Sequence, residues 1–333
     1  MIKSYLIHLG MNLWEDNNKQ SEAAWRNNCY RQDRLFCPRL QLDEPVWHHE
    51  LETLSQYGCN LVVFDLADGV RYESHPEIAV EGAWSTAKLS EEIARCRELG
   101  MEPIPKLNFS ATHDAWMGEY SRMVSTRPYY AFCHDLIQEV SELFAKPRFF
   151  HIGMDEEVPE QQLYYDYVVV RRREILHHDL QFYFDEVRKA GCRPWMFADS
   201  IWHLGTEEYQ RLVPKDVLQS NWYYYGEFNF QRMSVEQGTM LDAYLQLDKM
   251  GYDQILCGSN WDNQTNYPET VAFARHFLRN SPHFLGYMMA PWVSSEEHNL
   301  ESLDQAMELF RATHENEERY VSPARKTWPP RNW

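Results

Sequence analysis

Short apolar runs and amphipathic stretches alternate eight times along this chain. The apolar runs are "SYLIHLGMNLW" (4–14), "CNLVVFDLADG" (59–69), "EPIPKLNF" (102–109), "RFFHIGMD" (148–155), "RPWMFADSIW" (193–202), "VLQSNWYYY" (217–225), "QILCGSNW" (254–261) and "FLGYMMAPW" (284–292). Each has the length and composition of a buried strand. Between them, "VWHHELETLSQYG", "LSEEIARCRELG", "AFCHDLIQEVSELF" and "LQFYFDEVRKAG" repeat apolar residues every three or four positions. That is the period of a helix with one buried face, and several of these stretches close on a glycine, as a helix C-cap does. Strands alternating with helices imply a parallel sheet, and eight such units predict a (β/α)8 TIM barrel over residues 1–317. The competing layout is an open doubly wound sheet, but the first strand–helix turn, "NLWEDNNKQS", has no glycine-rich phosphate loop. Residues 318–333 are proline-rich and cannot continue the eighth helix, so they are expected as an extended tail packed on the barrel. With no linker or shift in composition, a single domain is expected.

In such a barrel, chemistry lives at the carboxyl ends of the strands. The first strand ends with Asn12 and Trp14, the second with Asp65 and Asp68. Asn108, His113 and Trp116 follow the third; Asp155 and Glu156 follow the fourth; Asp199 and Trp202 follow the fifth. The sixth offers Asn221, Trp222 and Tyr224, the seventh Asn260, Trp261 and Asp262, the eighth Trp292 and Glu296. Six of the twelve tryptophans thus fall at one end. Flat aromatic walls mixed with acids and amides suit a sugar, which has apolar C–H faces and a rim of hydroxyls.

Charge narrows the partners. The formal net charge of −18 opposes nucleic acid and anionic membrane surfaces, and fits a neutral small-molecule or oligosaccharide substrate. The opening "MIKSYLIHLGMNLWED" is broken by His8 and Asn12 and reads as a strand rather than a signal peptide. Seven cysteines are scattered singly with no CxxC pair, which points to reduced buried thiols in a cytoplasmic protein. No metal or cofactor is expected, and homo-oligomerisation is left open.

"RFFHIGMDEE" (148–157) carries the sharpest chemical signal: an apolar strand ending in three carboxylates. Adjacent acids repel, which favours the protonated form of one, and a neutral carboxyl can donate a proton to a leaving oxygen. Glu157 replaces Glu156 as the donor if the strand ends one residue later. "RRR" (171–173) reads as a solvated helix start, and the histidine pairs 48–49 and 177–178 as helix surface.

"FFHIGMDEE" resembles the His-x-Gly-Gly-Asp-Glu motif that closes strand four in family 20 glycoside hydrolases, the β-N-acetylhexosaminidases. By that likeness Asp155 holds the substrate's 2-acetamido group and Glu156 is the acid/base. "FLGYMMAPWVSSEE" is similar to the family's last strand, with Trp292 and Glu296 in matching places. The resemblance implies an exo-acting hydrolase of a terminal N-acetylhexosamine, in which the acetamido oxygen is the nucleophile. Trp202, Trp222, Trp261 and Trp292 would wall the pocket, and His151, Asp199 and Asn221 would contact hydroxyls or fix the acids. The chain departs from the family pattern at Lys106, Asn108 and Met154. Three rival expectations keep the barrel: a retaining glycosidase with Asp262 or Glu227 as nucleophile, a metal-dependent sugar isomerase or epimerase, and a catalytically silent sugar-binding barrel.

Overall fold

The computed structural model describes residues 1–14, 35–162 and 167–330. Most of the first strand–helix turn, Cys29 and the last three residues of the tail lie outside the described residues. Eight parallel strands close into a barrel: β1 (Ile2–His8), β2 (Leu61–Asp65), β3 (Glu102–Lys106), β4 (Phe149–His151), β5 (Arg193–Phe197), β6 (Leu218–Ser220), β7 (Gln254–Gly258) and β8 (Phe284–Met289). Neighbours follow chain order around the ring, and β8 pairs with β1. This is the (β/α)8 barrel that the alternation predicts.

Eight α-helices wrap the barrel among the described residues: α1 (Glu44–Gln56), α2 (Thr86–Glu98), α3 (Arg127–Leu143), α4 (Glu174–Lys189), α5 (Ser200–Leu212), α6 (Val235–Met250), α7 (Asn266–Phe277) and α8 (Leu300–Glu315). None is long and apolar enough to cross a membrane. The period-2 alternation of the strands divides the core. Leu6, Val63, Ile104, Trp195, Ile255 and Met288 fill the barrel interior, while Tyr5, Ile7, Val62, Phe64 and Met196 pack outward against helices. Helix ends carry local signals as well. Ser234 and Gln237 form a capping box at α6, which then stops at Gly251 in the left-handed conformation.

Register sets up the site. His8 pairs with Asp65, Asp65 with Lys106, and Lys106 with His151. The last residues of β1 to β4 therefore stand side by side and form a polar upper layer inside the barrel. All four are buried. The strands are shorter than the apolar runs that predict them, because each run continues past its ladder into a loop at the mouth. The tail beyond α8 packs on α7 through Trp328, which lies against Phe273 and Phe277 and donates from Nε1 to the Phe228 carbonyl.

Candidate active site

Two loops interlock at the mouth, one after β3 (107–114) and one after β4 (152–157). Asn108 is the joint. Its Oδ1 accepts from the Met154 and Ser110 amides, each at 3.1 Å, and its Nδ2 donates to Asp155 Oδ1 at 2.7 Å. Thr112 closes the other end, donating to the Asp155 carbonyl at 3.1 Å. Gly153 lets the loops meet. Its φ is +69°, and a Cβ there would fall 1.9 Å from Asn108 Oδ1. Met154 and Glu156 also have positive φ, as does Trp292 across the mouth. Strain of this kind survives only where surrounding contacts over-determine it, and it collects at functional sites.

The three carboxylates have different tasks. Asp155 is held by Asn108 and Thr112. Glu157 turns away from the mouth: it accepts from Ser110 Oγ at 2.9 Å, the Ala111 amide at 2.8 Å and Arg171 Nε at 2.7 Å. Arg171 also reaches Asp179 at 3.2 Å, the Tyr183 hydroxyl at 2.8 Å and the Phe109 carbonyl at 2.9 Å. It is buried, so the expectation of a solvated "RRR" is wrong at this position. A guanidinium with four fixed acceptors on four residues is a core strut, and its ion pairs commit Glu157 to structure. Glu156 remains as the half-open acid, with 24% of its side chain exposed.

His113 lies between the first two acids, with Nε2 at 3.6 Å from Asp155 Oδ2 and 3.5 Å from Glu156 Oε2. Its Nδ1 sits 2.9 Å from the Thr112 hydroxyl. Asp199 approaches from β5. Its Oδ2 accepts the Glu156 amide at 2.8 Å, while its buried Oδ1 has no hydrogen-bond partner among the described residues. Burial, then the nearby charge of Asp155, pushes the Asp199 carboxyl well above the usual range. Both effects favour the protonated form of Asp199, which sits beneath the two acids.

An arc of rings lines the mouth. Trp14 meets Trp292 at 6.3 Å, Trp292 meets Tyr224 at 6.3 Å, Tyr224 stacks on Trp222 at 5.0 Å, and Trp222 meets Trp202 at 4.6 Å. Trp222 Nε1 is buried with no partner among the described residues. Trp116 does not belong to this wall. It is fully buried, packs near Phe109 and Phe132, and donates to the Asn108 carbonyl. Asn221 is likewise committed: it accepts from Trp202 Nε1 and donates to the Met240 carbonyl, both at 2.8 Å. It is fully buried and orients the Trp202 indole.

His151 sits in the polar layer beneath the mouth. Its Nδ1 accepts from the Gly153 amide at 3.0 Å, so it fixes the turn that leads to the acids. Burial and the Lys106 ammonium push its pKa well below the ordinary value, so it is neutral. Trp261 and Asp262 stand on the exposed rim after β7, where Asp262 accepts from Asn263 Nδ2 at 3.0 Å. Glu296 accepts from Ser294 Oγ at 2.8 Å beyond β8. The Glu227 carboxylate accepts the amide of Asn229, two residues on, at 2.7 Å, which makes it a loop lock. No group of three His, Cys, Asp or Glu is placed to hold a metal ion among the described residues.

Sequence reasoning missed Arg171 as a strut and the Lys106–Asp65–His8 cluster as a floor. Lys106 Nζ lies 2.5 Å from Asp65 Oδ2, and His8 Nδ1 lies 3.2 Å from the same oxygen. Burial alone would raise the Asp65 carboxyl, yet Lys106 and His8 hold it down at about 2. Trp292 covers this cluster, its ring 5.9 Å from Lys106 Nζ and 5.5 Å from the His8 ring. The available signal was register: polar residues end four consecutive strands.

No protein-family model matches the chain, and no curated protein matches it. Solved structures do resemble it. A family 20 exo-β-N-acetylglucosaminidase from Vibrio harveyi, in complex with N-acetylglucosamine, superposes with a TM-score of 0.62 at 16% identity, over 99% of this chain and 55% of that one. A β-N-acetylhexosaminidase from Bacteroides fragilis has a TM-score of 0.62 at 14% identity, over 94% of this chain and 65% of that one. Dispersin B has a TM-score of 0.55 at 15% identity, over 82% of this chain and 95% of that one. The chain spans less than two thirds of the length of the first two. At these identities the likeness establishes the barrel fold.

Proposed function

We propose that this chain is a divergent family 20 glycoside hydrolase that removes a terminal N-acetylhexosamine. The observation that carries the reading is the division of labour in residues 155–157. Asn108 and Thr112 fix Asp155, Arg171 draws Glu157 into the core, and Glu156 presents a partly exposed carboxyl at the mouth, 3.5 Å from His113. The solved structures with the same barrel are β-N-acetylhexosaminidases by their own descriptions, which supports the choice of substrate.

In this mechanism the substrate's acetamido oxygen attacks C1 while the C1–O bond to the leaving group breaks. Glu156 gives its proton to the departing oxygen and then takes one from the water that opens the cyclic intermediate. Asp155, fixed by Asn108, holds the amide N–H and offsets the positive charge that develops on the acetamido group. His113, within 3.6 Å of both acids, ties their positions together. Trp202, Trp222, Trp261 and Trp292 bound the sugar, and Asp199 donates toward it from below.

The test is hydrolysis of an aryl β-N-acetylglucosaminide, with the matching β-glucoside as control. The acetamido substrate should turn over and the glucoside should not. Glu156→Gln should lower kcat by about two to four orders of magnitude, the usual contribution of a general acid. Equal turnover of the two substrates, or an unimpaired E156Q variant, would refute the reading.

A further inference from the structure

A second cleft lies outside the barrel, where α7 and the residues just after it meet the tail. Its volume is about 270 Å³. Arg275 and Arg279 line it from the helix side and Arg325 from the tail, with the rings of His276 and Trp328 beside them and Glu318 as the acid. Three arginines against one glutamate converge here on a chain whose formal charge is −18. The helix begins after β7, at the mouth, so its C-terminal end places this cleft toward the opposite end of the barrel.

Cations near a helix C-terminus are ordinary, since the helix dipole favours them. That accounts for Arg275 and Arg279 in part, but not for two further features. Arg275 is anchored by Nη2, which donates to the Tyr320 carbonyl, while its Nη1 is buried with no hydrogen-bond partner among the described residues. Buried guanidinium N–H groups are normally satisfied, so an acceptor belongs there. Arg325 comes from a separate segment and makes no ion pair of its own among the described residues, although it lines the same space. The local acids do not neutralise the set. Glu318 meets Arg279 at 3.3 Å with both side chains more than 60% exposed, a weak surface pair. Glu269, beneath the tail, is taken up by the hydroxyls of Tyr320 and Ser322.

We propose that this cleft binds a phosphate group, either free or carried by a small phosphomonoester. Planar guanidinium forks match phosphate oxygens in pairs, and arginines from two segments can grip one group from two sides. The Trp328 and His276 rings give a carried sugar or similar ring a flat surface to lie on.

The experiment is titration calorimetry on the full chain at low ionic strength, with inorganic phosphate, glucose 6-phosphate and acetate as probes. Saturable binding of phosphate is expected, with acetate much weaker. Glucose 6-phosphate binding more tightly than phosphate identifies an ester as the ligand, and equal affinity identifies free phosphate. Arg325→Gln, at an exposed tail position, should leave the melting temperature unchanged and weaken phosphate binding about tenfold, as expected for loss of a charge-assisted hydrogen bond. Arg275→Gln should weaken it as much or more. No saturable binding of either phosphate probe at millimolar concentration, acetate binding as tightly as phosphate, or affinity unchanged in both variants would each overturn the proposal.

Discussion

Three consecutive acids show how neighbours, rather than residue type, assign a role. Glu156 and Glu157 are the same chemistry one position apart, yet one faces the mouth and the other faces Arg171. Substitution should separate them. Glu156→Gln keeps the shape of a partly exposed side chain at the mouth, so stability should change by about 0.5 kcal/mol. Glu157→Gln leaves Arg171 short of a charge partner in a buried site, and breaking such a pair costs about 3–5 kcal/mol. Arg171→Met should cost at least as much, because it strands Glu157 and Asp179 together. Urea denaturation checks all three. A stable E157Q beside an unstable E156Q would reverse the assignment. The sequence showed that the acids matter but not which of them faces the mouth. The deciding partner lies 14 residues beyond Glu157, and nothing in "RRR" distinguishes the arginine that folds inward.

At the scale of elements, the strands and helices were legible because burial imposes a period on them, while the loops at their ends were not. The fourth run shows why. Its apolar letters continue through "HIGMD", so pattern alone extends the strand to residue 155, but the ladder stops at His151. From there Gly153 and Met154 take positive φ, and the chain turns to meet the loop after β3. The same contact explains Asn108, whose amide is consumed in joining the two loops. Trp116 falls at the same end of the barrel as the wall indoles yet turns into the core, because position along a strand does not reveal which way a side chain points beyond it. The interlock yields its own prediction. Gly153→Ala puts a methyl into Asn108 and strains a left-handed residue, so it should destabilise the fold by about 1–3 kcal/mol. On the proposed mechanism it should also lower kcat/KM, since it shifts Asp155 away from the acetamido group. Thermal melts and steady-state kinetics on the same preparation test both parts, and a G153A variant with wild-type kcat/KM would show that the interlock does not position Asp155.

The whole molecule buries ionisable groups of opposite tendency, and their balance sets how stability changes with pH. Burial, reinforced by Asp304, pushes Glu50 up to about 8, and burial pushes Asp68 up to about 7 despite its bond from Asn12. Each folded carboxyl keeps its proton at a pH where the unfolded chain has released it. Between the ordinary carboxylate value and the raised one, the unfolded state binds fewer protons, so stability falls as pH rises. Asp65, held at about 2, works in the opposite sense and matters only in strong acid, where its protonation removes stability. His151 and His314, both held below 6.5 chiefly by burial, add stability as pH rises toward that value and contribute no further slope above it. Above pH 7 the histidines add little further slope and Asp68 completes its titration, so Glu50 and Asp199 are the carboxyls whose raised values still cost stability up to about pH 8. Over that interval Glu50 alone should cost the protein about 1 kcal/mol, from a limiting slope of about 1.4 kcal/mol per pH unit for one proton. Glu50→Gln should make that segment shallower by its own share, with high salt present in both titrations to screen the repulsion of a chain at −18. Urea midpoints read across pH 7 to 8 decide the matter: parallel losses in wild type and E50Q would mean that Glu50 is ionised in the fold and that the slope comes from elsewhere.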